Sequence, residues 1–310
     1  MDKLVECIPN VSEGRRPEII KTISEAIASV PTAVILDIHS DQDHNRSVIT
    51  FVCGKEQAVE AALQGYKIAQ RHIDLNRHEG VHPRIGAVDV CPFLPLNKTT
   101  MSEAVELAEA LGQRVADELH IPVYLYEQAA RIPERKNLAN IRKEQFEELR
   151  DVIRYDTGKT PDFGPNALHP TAGATAIGAR IPLIAFNVFL NTSDKSIGRK
   201  IADAVSGSRG GYRYVKALAF EIATRSQIQI SMNLTNYRKT PIYRVFETIK
   251  LEASRYGVEV VASEIVGLAP SGALLDSGAF YLRLEQDVQE IVLEERLKLA
   301  GIQGVTISAK

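Results

Sequence analysis

The order in which two kinds of apolar pattern alternate is what most constrains this chain. Leu4 to Ile8 is a short apolar run of strand type. Pro17 then opens a stretch with Ile20, Ile23 and Ile27 at helical spacing, and proline is best tolerated at the first position of a helix. Ala33 to Ile38 is an apolar run interrupted by Asp37 and reads as a buried strand, and Ser47 to Cys53 is a second, β-branched one. Residues 57–71 place Ala58, Ala61, Ala62, Gly65, Ile68 and Ala69 on one helical face, and residues 85–93 return to strand. The predicted order is β-α-β-β-α-β, the ferredoxin-like split unit.

Thr100 and Glu103 form a capping-box pattern that opens a helix carrying Ala104, Leu107, Ala108, Leu111 and Val115 on one stripe. Residues 122–126 read as strand, and 127–155 are polar with weak helical signals, among them Gln145 to Leu149. From Asp156 to Gly178 the texture changes to turn chemistry followed by small residues, which marks a candidate boundary. The same order then repeats: strand at 183–190, helix at 193–205, strands at 215–222 and 227–234, helix at 241–256, strand at 258–266. A terminal helix is expected over 288–299, stopping near Gly301. A chain of 310 residues exceeds what one core usually holds. The expectation is therefore an α+β protein of two ferredoxin-like subdomains, residues 1–179 and 180–310, with a ligand cleft between their sheets.

Charge and cysteine usage narrow the class. The net charge is −2, so there is no basic excess to recruit nucleic acid or a membrane surface. No apolar run is long enough to span a bilayer and no signal-like segment starts the chain, which points to a cytoplasmic protein. Cys7, Cys53 and Cys91 sit far apart in apolar runs and read as reduced core thiols.

Four segments could carry chemistry. The densest runs from Arg71 to Arg84 and holds three of the seven histidines, His72, His78 and His82. Pro83 pushes His82 into an extended conformation, and Gly80 permits an unusual path just before it. A histidine so constrained suits acid–base work, but a polar helix-to-strand connection accounts for the segment as well. The second is Asp37, His39, Asp41, Asp43, His44, Asn45 and Arg46. Its start resembles a calcium loop, but Arg46 and Val52 stand where that loop needs glycine and glutamate. A metal held by His39 and His44 is weighed against an ordinary hairpin turn. The third, Asp162 to Thr175, is either a shaped loop for a flat ligand or a linker; Phe163 and Leu168 favour the loop. The fourth, Gly207 to Arg213, could receive an anion but does not match a nucleotide-triphosphate loop.

These stretches resemble the glutamate formimidoyltransferase family. The likeness runs from Leu4-Val5-Glu6-Cys7-Ile8-Pro9-Asn10-Val11-Ser12-Glu13-Gly14 to Gly272-Ala273-Leu274-Leu275-Asp276. It is most specific over residues 77–92 and in Pro161-Asp162-Phe163-Gly164-Pro165. The resemblance implies transfer of a formimidoyl group from N-formimidoyl-L-glutamate to N5 of tetrahydrofolate, used as co-substrate without a metal, in a homodimer. It places the catalytic histidine at His82. It places the folate loop on Phe163, Gly164, Pro165, Asn166, Ala167, Leu168, His169, Pro170, Thr171 and Ala172. Arg46 and Arg84 are the expected forks for substrate carboxylates. Animal members carry a fused cyclodeaminase domain, which is not expected here. Two departures stand out: His39 where relatives often have aspartate, and no tryptophan in the folate loop. A formyl donor, hydrolysis of the one-carbon group, and folate binding without catalysis remain the alternatives.

Overall fold

The structure, a computed structural model, describes residues 3–302. It is a mixed α/β protein with two sheets, and the chain divides into compact units at Met1–Ile181 and Pro182–Lys310.

In the first unit β1 (Lys3–Cys7) and the short β2 (Asn10–Val11) lead to α1 (Pro17–Ala28), which starts on its proline and buries Ile20, Ile23 and Ile27. The hairpin β3 (Val34–Asp41) and β4 (Arg46–Gly54) is followed by α2 (Ala58–His72) and β5 (Val88–Asn97). The expected capping box is present at α3 (Met101–Leu119). Glu103 N donates to Thr100 Oγ1 at 3.2 Å and Thr100 N donates to Glu103 Oε2 at 2.9 Å. Then come β6 (Val123–Glu127), α4 (Leu138–Ile141), α5 (Gln145–Val152) and β7 (Thr175–Ala179).

β1 lies between β4 and β5, β3 pairs outside β4, and β7 and β6 extend the sheet in parallel beyond β5. One face carries Val5, Cys7, Ile49, Phe51, Cys53, Cys91 and Phe93 into a core with α1, α2 and α3. The other carries Ile85, Val90, Tyr124, Tyr126 and Ala176, which pack with Ile141, Leu149 and Ile153. All three cysteines are buried and unlinked, with Cys7 and Cys91 Sγ 3.4 Å apart.

β7 falls inside the stretch read as a boundary. Its residues, Thr175-Ala176-Ile177-Gly178-Ala179, have little strand character of their own. Their small size is what the neighbour demands: a Cβ on Gly178 would lie 2.6 Å from the Tyr126 ring.

The second unit runs β8 (Ile184–Leu190), α6 (Lys195–Val205), β9 (Val215–Ile222), β10 (Gln227–Leu234), α7 (Ile242–Ser254) and β11 (Val260–Val266). Its antiparallel order is β11-β8-β10-β9. Alternation is regular: Ile228, Ile230, Met232 and Leu234 join the core, while Gln229, Ser231 and Asn233 take the opposite face. Two features differ from expectation. A helix not anticipated, α8, spans Ser271–Leu282, and the terminal helix is broken at Val292 into α9 (Val288–Ile291) and α10 (Leu293–Leu299). No helix among the described residues is long and apolar enough to cross a membrane.

Candidate active site

Three loops of the first unit meet at Asn45. This residue closes the β3–β4 turn in the left-handed region, at φ 47°, which asparagine tolerates better than most. Its side chain accepts from Gly14 N at 2.9 Å and donates to Glu79 O at 3.0 Å. Asp41 fixes the same turn by accepting from His44 N at 2.8 Å. Contact is close enough to require glycines. A Cβ on Gly14 would lie 2.1 Å from Asp41 O, and one on Gly80 would lie 2.3 Å from His44 O. Val81 N donates to Asp43 O, so the backbone leading into His82 is held against the turn.

The three clustered histidines separate by their partners. His72 ends α2 and is exposed. His78 has both ring nitrogens engaged: Nε2 donates to Asn45 O at 2.8 Å, and Nδ1 accepts from Arg84 Nε at 3.1 Å. It is a structural pin.

His82 is different. Its Nδ1 lies 2.8 Å from Pro83 O. A carbonyl only accepts, so Nδ1 carries the proton and the lone pair of the neutral ring is on Nε2. Burial holds its pKa well below the ordinary histidine value, helped by the positive charges of Arg46 and Arg142 and by His44; the Pro83 carbonyl opposes them weakly. The His44 ring stands 5.7 Å away, centroid to centroid. A neutral imidazole with a defined lone pair is a base ready at neutral pH. With His82 as general base, the acid limb of kcat/KM is expected below pH 6.5, because protonation of the ring removes its lone pair. A midpoint at or above 6.5 would contradict this reading.

The positive charge beside His82 comes from one buried assembly. Asp89, fully buried on β5, accepts from Arg46 Nη1 at 2.7 Å and from Arg142 Nη2 at 2.5 Å through Oδ2. Its Oδ1 accepts from Ile85 N at 2.9 Å. Burial would raise the Asp89 pKa, but Arg142 and Arg46 outweigh it and hold it low. Arg46 also donates to Asn10 Oδ1 at 2.9 Å; burial pushes its pKa down to about 10, so it stays charged at neutral pH. Two cations thus share one carboxylate.

Arg84 is oriented otherwise. Its guanidinium grips Glu147 through both terminal nitrogens, at 2.6 and 2.8 Å, and Nη2 also reaches His78 O. This fork anchors α5 to the histidine loop. His39 faces the same side of the sheet as Asn10, since both pair with Val48. Among the described residues no group of three or more His, Cys, Asp or Glu side chains is set to hold a metal ion.

The loop after Pro161 is tied at both ends. Asp162 Oδ2 accepts from Leu125 N and Arg135 Nη1, each at 2.7 Å. Phe163 O accepts from Val123 N at 2.9 Å, and Arg131 lies over the Phe163 ring at 4.3 Å. Gly164 turns the chain at φ 89°. Gly164, Pro165, Asn166 and Pro170 are exposed; Ala167, Leu168, His169 and Thr171 are half-buried. His169 Nδ1 accepts from Ala172 N at 3.0 Å, and Ala172 is buried. Ala87 N donates to Ala172 O and Ala174 N to Ile85 O, both at 2.9 Å. The far end of the loop is thereby stitched to the strand entry just past His82.

Sequence reasoning missed Asp89 and Arg142. Asp89 left a trace, as the one acid in the apolar run 85–93. Arg142 left none, being one of several charges in a polar stretch.

Residues 4–180 match the family described as formiminotransferase domain, N-terminal subdomain, and residues 185–306 match the formiminotransferase domain. The chain is 53% identical over 300 residues to a glutamate formimidoyltransferase of Thermoplasma acidophilum, covering 96% of this chain and 98% of that protein. It is 47% identical over 298 residues to a glutamate formimidoyltransferase of Streptococcus pyogenes, covering 96% and 99%. A formimidoyltransferase-cyclodeaminase of Sus scrofa is 42% identical over 290 residues, 92% of this chain but 53% of that protein, so the chain spans about half its length. A solved microcompartment protein of Desulfitobacterium hafniense covers 87% of this chain and 97% of its own at TM-score 0.22 and 8% identity, too little to carry an argument. With both its parts matched and near-complete overlap with two relatives, this chain belongs to the formiminotransferase domain family.

Proposed function

We propose that this protein is a glutamate formimidoyltransferase, moving the formimidoyl group of N-formimidoyl-L-glutamate to N5 of tetrahydrofolate. The observation that carries the reading is His82, neutral at working pH with its lone pair on Nε2, in a chain this similar to named formimidoyltransferases.

The N5 lone pair attacks the formimidoyl carbon, and the C=N electron pair moves to the terminal nitrogen. N5 becomes a cationic amine in the tetrahedral intermediate, and His82 Nε2 takes its proton. The lone pair on the terminal nitrogen then re-forms the C=N bond as the bond from that carbon to the glutamate nitrogen breaks with its electrons on the glutamate nitrogen, and the imidazolium returns the proton there. The products are 5-formimidoyltetrahydrofolate and L-glutamate. Acid–base help of this kind contributes on the order of 10²–10⁴ in rate, and holding two substrates together contributes the rest.

Residues 163–172 form the folate loop in this proposal, with Gly164, Pro165, Asn166 and Pro170 offering the exposed surface. Each unit is a ferredoxin-like half, and the working enzyme is a cytoplasmic homodimer. One assay tests the proposal: protein mixed with tetrahydrofolate and either formimidoylglutamate or formylglutamate, followed by the absorbance of the 5-substituted folate. Turnover with the formimidoyl donor is the expected result. Turnover with the formyl donor alone, or with neither, rejects it.

A further inference from the structure

The three buried arginines of the first unit each hold at least two partners, and the half-buried Arg142 differs from them. Arg84 holds Glu147 at both terminal nitrogens and His78 through Nε. Arg135 holds Asp162 and Thr160 O. Arg46 holds Asp89 and Asn10. The Arg142 side chain makes a single hydrogen bond among the described residues, from Nη2 to Asp89, although it is only 13% exposed. Its Nε is buried with no hydrogen-bond partner. Buried donors in native proteins are almost always paired, and an arginine can make several bonds.

Charge says the same thing independently. Arg46 and Arg142 share the one carboxylate of Asp89, so two positive charges meet one negative in an assembly whose arginines both act electrostatically on His82. A surplus charge away from water is costly unless an anion meets it.

The geometry points to Arg142 as the carboxylate-binding residue for the formimidoyl donor, with Arg46 as the second cation of that site. The inference rests on the transfer reaction proposed above. Both substrates carry carboxylates, so position decides between them. The donor's α-carboxylate is attached to the carbon that bears the departing nitrogen. It must therefore lie close to the base that protonates that nitrogen. The carboxylates of tetrahydrofolate lie beyond the aminobenzoyl ring, far from N5. A cation beside His82 matches the donor, and a guanidinium suits a carboxylate through paired N–H bonds.

The test uses the full chain with Arg142→Met and Arg142→Lys. Donor KM, donor and tetrahydrofolate Kd by calorimetry, and thermal melting are measured for each. Arg142→Met is expected to raise donor KM and Kd by about 10–100-fold, as loss of a hydrogen bond to a charged group does. Its tetrahydrofolate Kd should stay at the wild-type value. Arg142→Lys keeps the charge without the fork and should fall between the two. A donor whose α-carboxylate is replaced by the amide should bind the wild type more weakly by a similar factor, while Arg142→Met should no longer distinguish acid from amide. Full retention of that preference in a folded Arg142→Met protein overturns the inference, and so does a change confined to tetrahydrofolate. If the wild type binds donor but transfers nothing, the reaction proposal fails, and the calorimetric comparison still decides the role of Arg142.

Discussion

His82→Ala is expected to fold, to bind tetrahydrofolate as the wild type does, and to lose on the order of 10²–10⁴ in kcat. The size follows from what is removed. The proton on N5 of the tetrahedral intermediate then has only water to go to, and the intermediate collapses back to substrates more often than forward. Binding survives because the loop that carries His82 is held independently through Asn45, Gly80 and Val81. Single-turnover measurement under saturating substrates isolates the chemical step. His78→Ala is the contrast. It removes a pin between Asn45 and Arg84, so stability should fall while the chemical step of the folded fraction keeps the acid limb of the wild type. A folded His82→Ala protein with kcat near wild type would remove His82 from the mechanism.

Asp89→Ala should be the most destabilising single change in the site, by about 3–5 kcal/mol. Two guanidiniums would remain buried with no carboxylate between them, and Ile85 N would lose its acceptor. For a unit of this size that corresponds to a melting temperature lower by roughly 6–20 °C. The folded-state pKa of Asp89 is depressed, so its stabilisation is present above the unfolded-state pKa and is lost as pH falls through the folded value. His82 adds a loss on the acid side beginning higher. Its folded pKa is also depressed, so below about pH 6.5 the unfolded chain takes up a proton that the folded chain refuses. Urea melts of wild type and variant should show both effects, and replacing Arg46 and Arg142 by apolar residues in the Asp89→Ala background should recover part of the loss. A variant within about 1 kcal/mol of wild type would show that the assembly is not an energetic keystone.

Periodicity carried most elements of the fold, and it failed where a neighbouring strand or a helix end set the outcome. The Pro17 helix start, the Thr100–Glu103 cap and the alternation in β10 are local chemistry, so they are visible in the chain. β7 was missed because its residues were selected by Tyr126 on the neighbouring strand rather than by strand propensity. The break at Val292 is a matter of helix ends, which periodicity does not resolve, and α8 carries Gly272 and Gly278, which weaken its helical signal.

The candidate site shows the same division more sharply. By itself the sequence determined that a histidine-rich segment with Gly80 and Pro83 would be backbone-constrained, and its likeness to formimidoyltransferases singled out His82. Residue type and neighbours along the chain suffice for that. Only the tertiary structure separates His78, pinned by partners 33 and 6 residues away, from His82, whose Nδ1 meets an adjacent carbonyl. Only the tertiary structure turned Arg84 toward Glu147 and brought Arg142 to Asp89, 53 residues apart, where its charge acts on His82. Charge balance in a buried site is a sum over groups that meet through folding, and no local pattern in the chain encodes it.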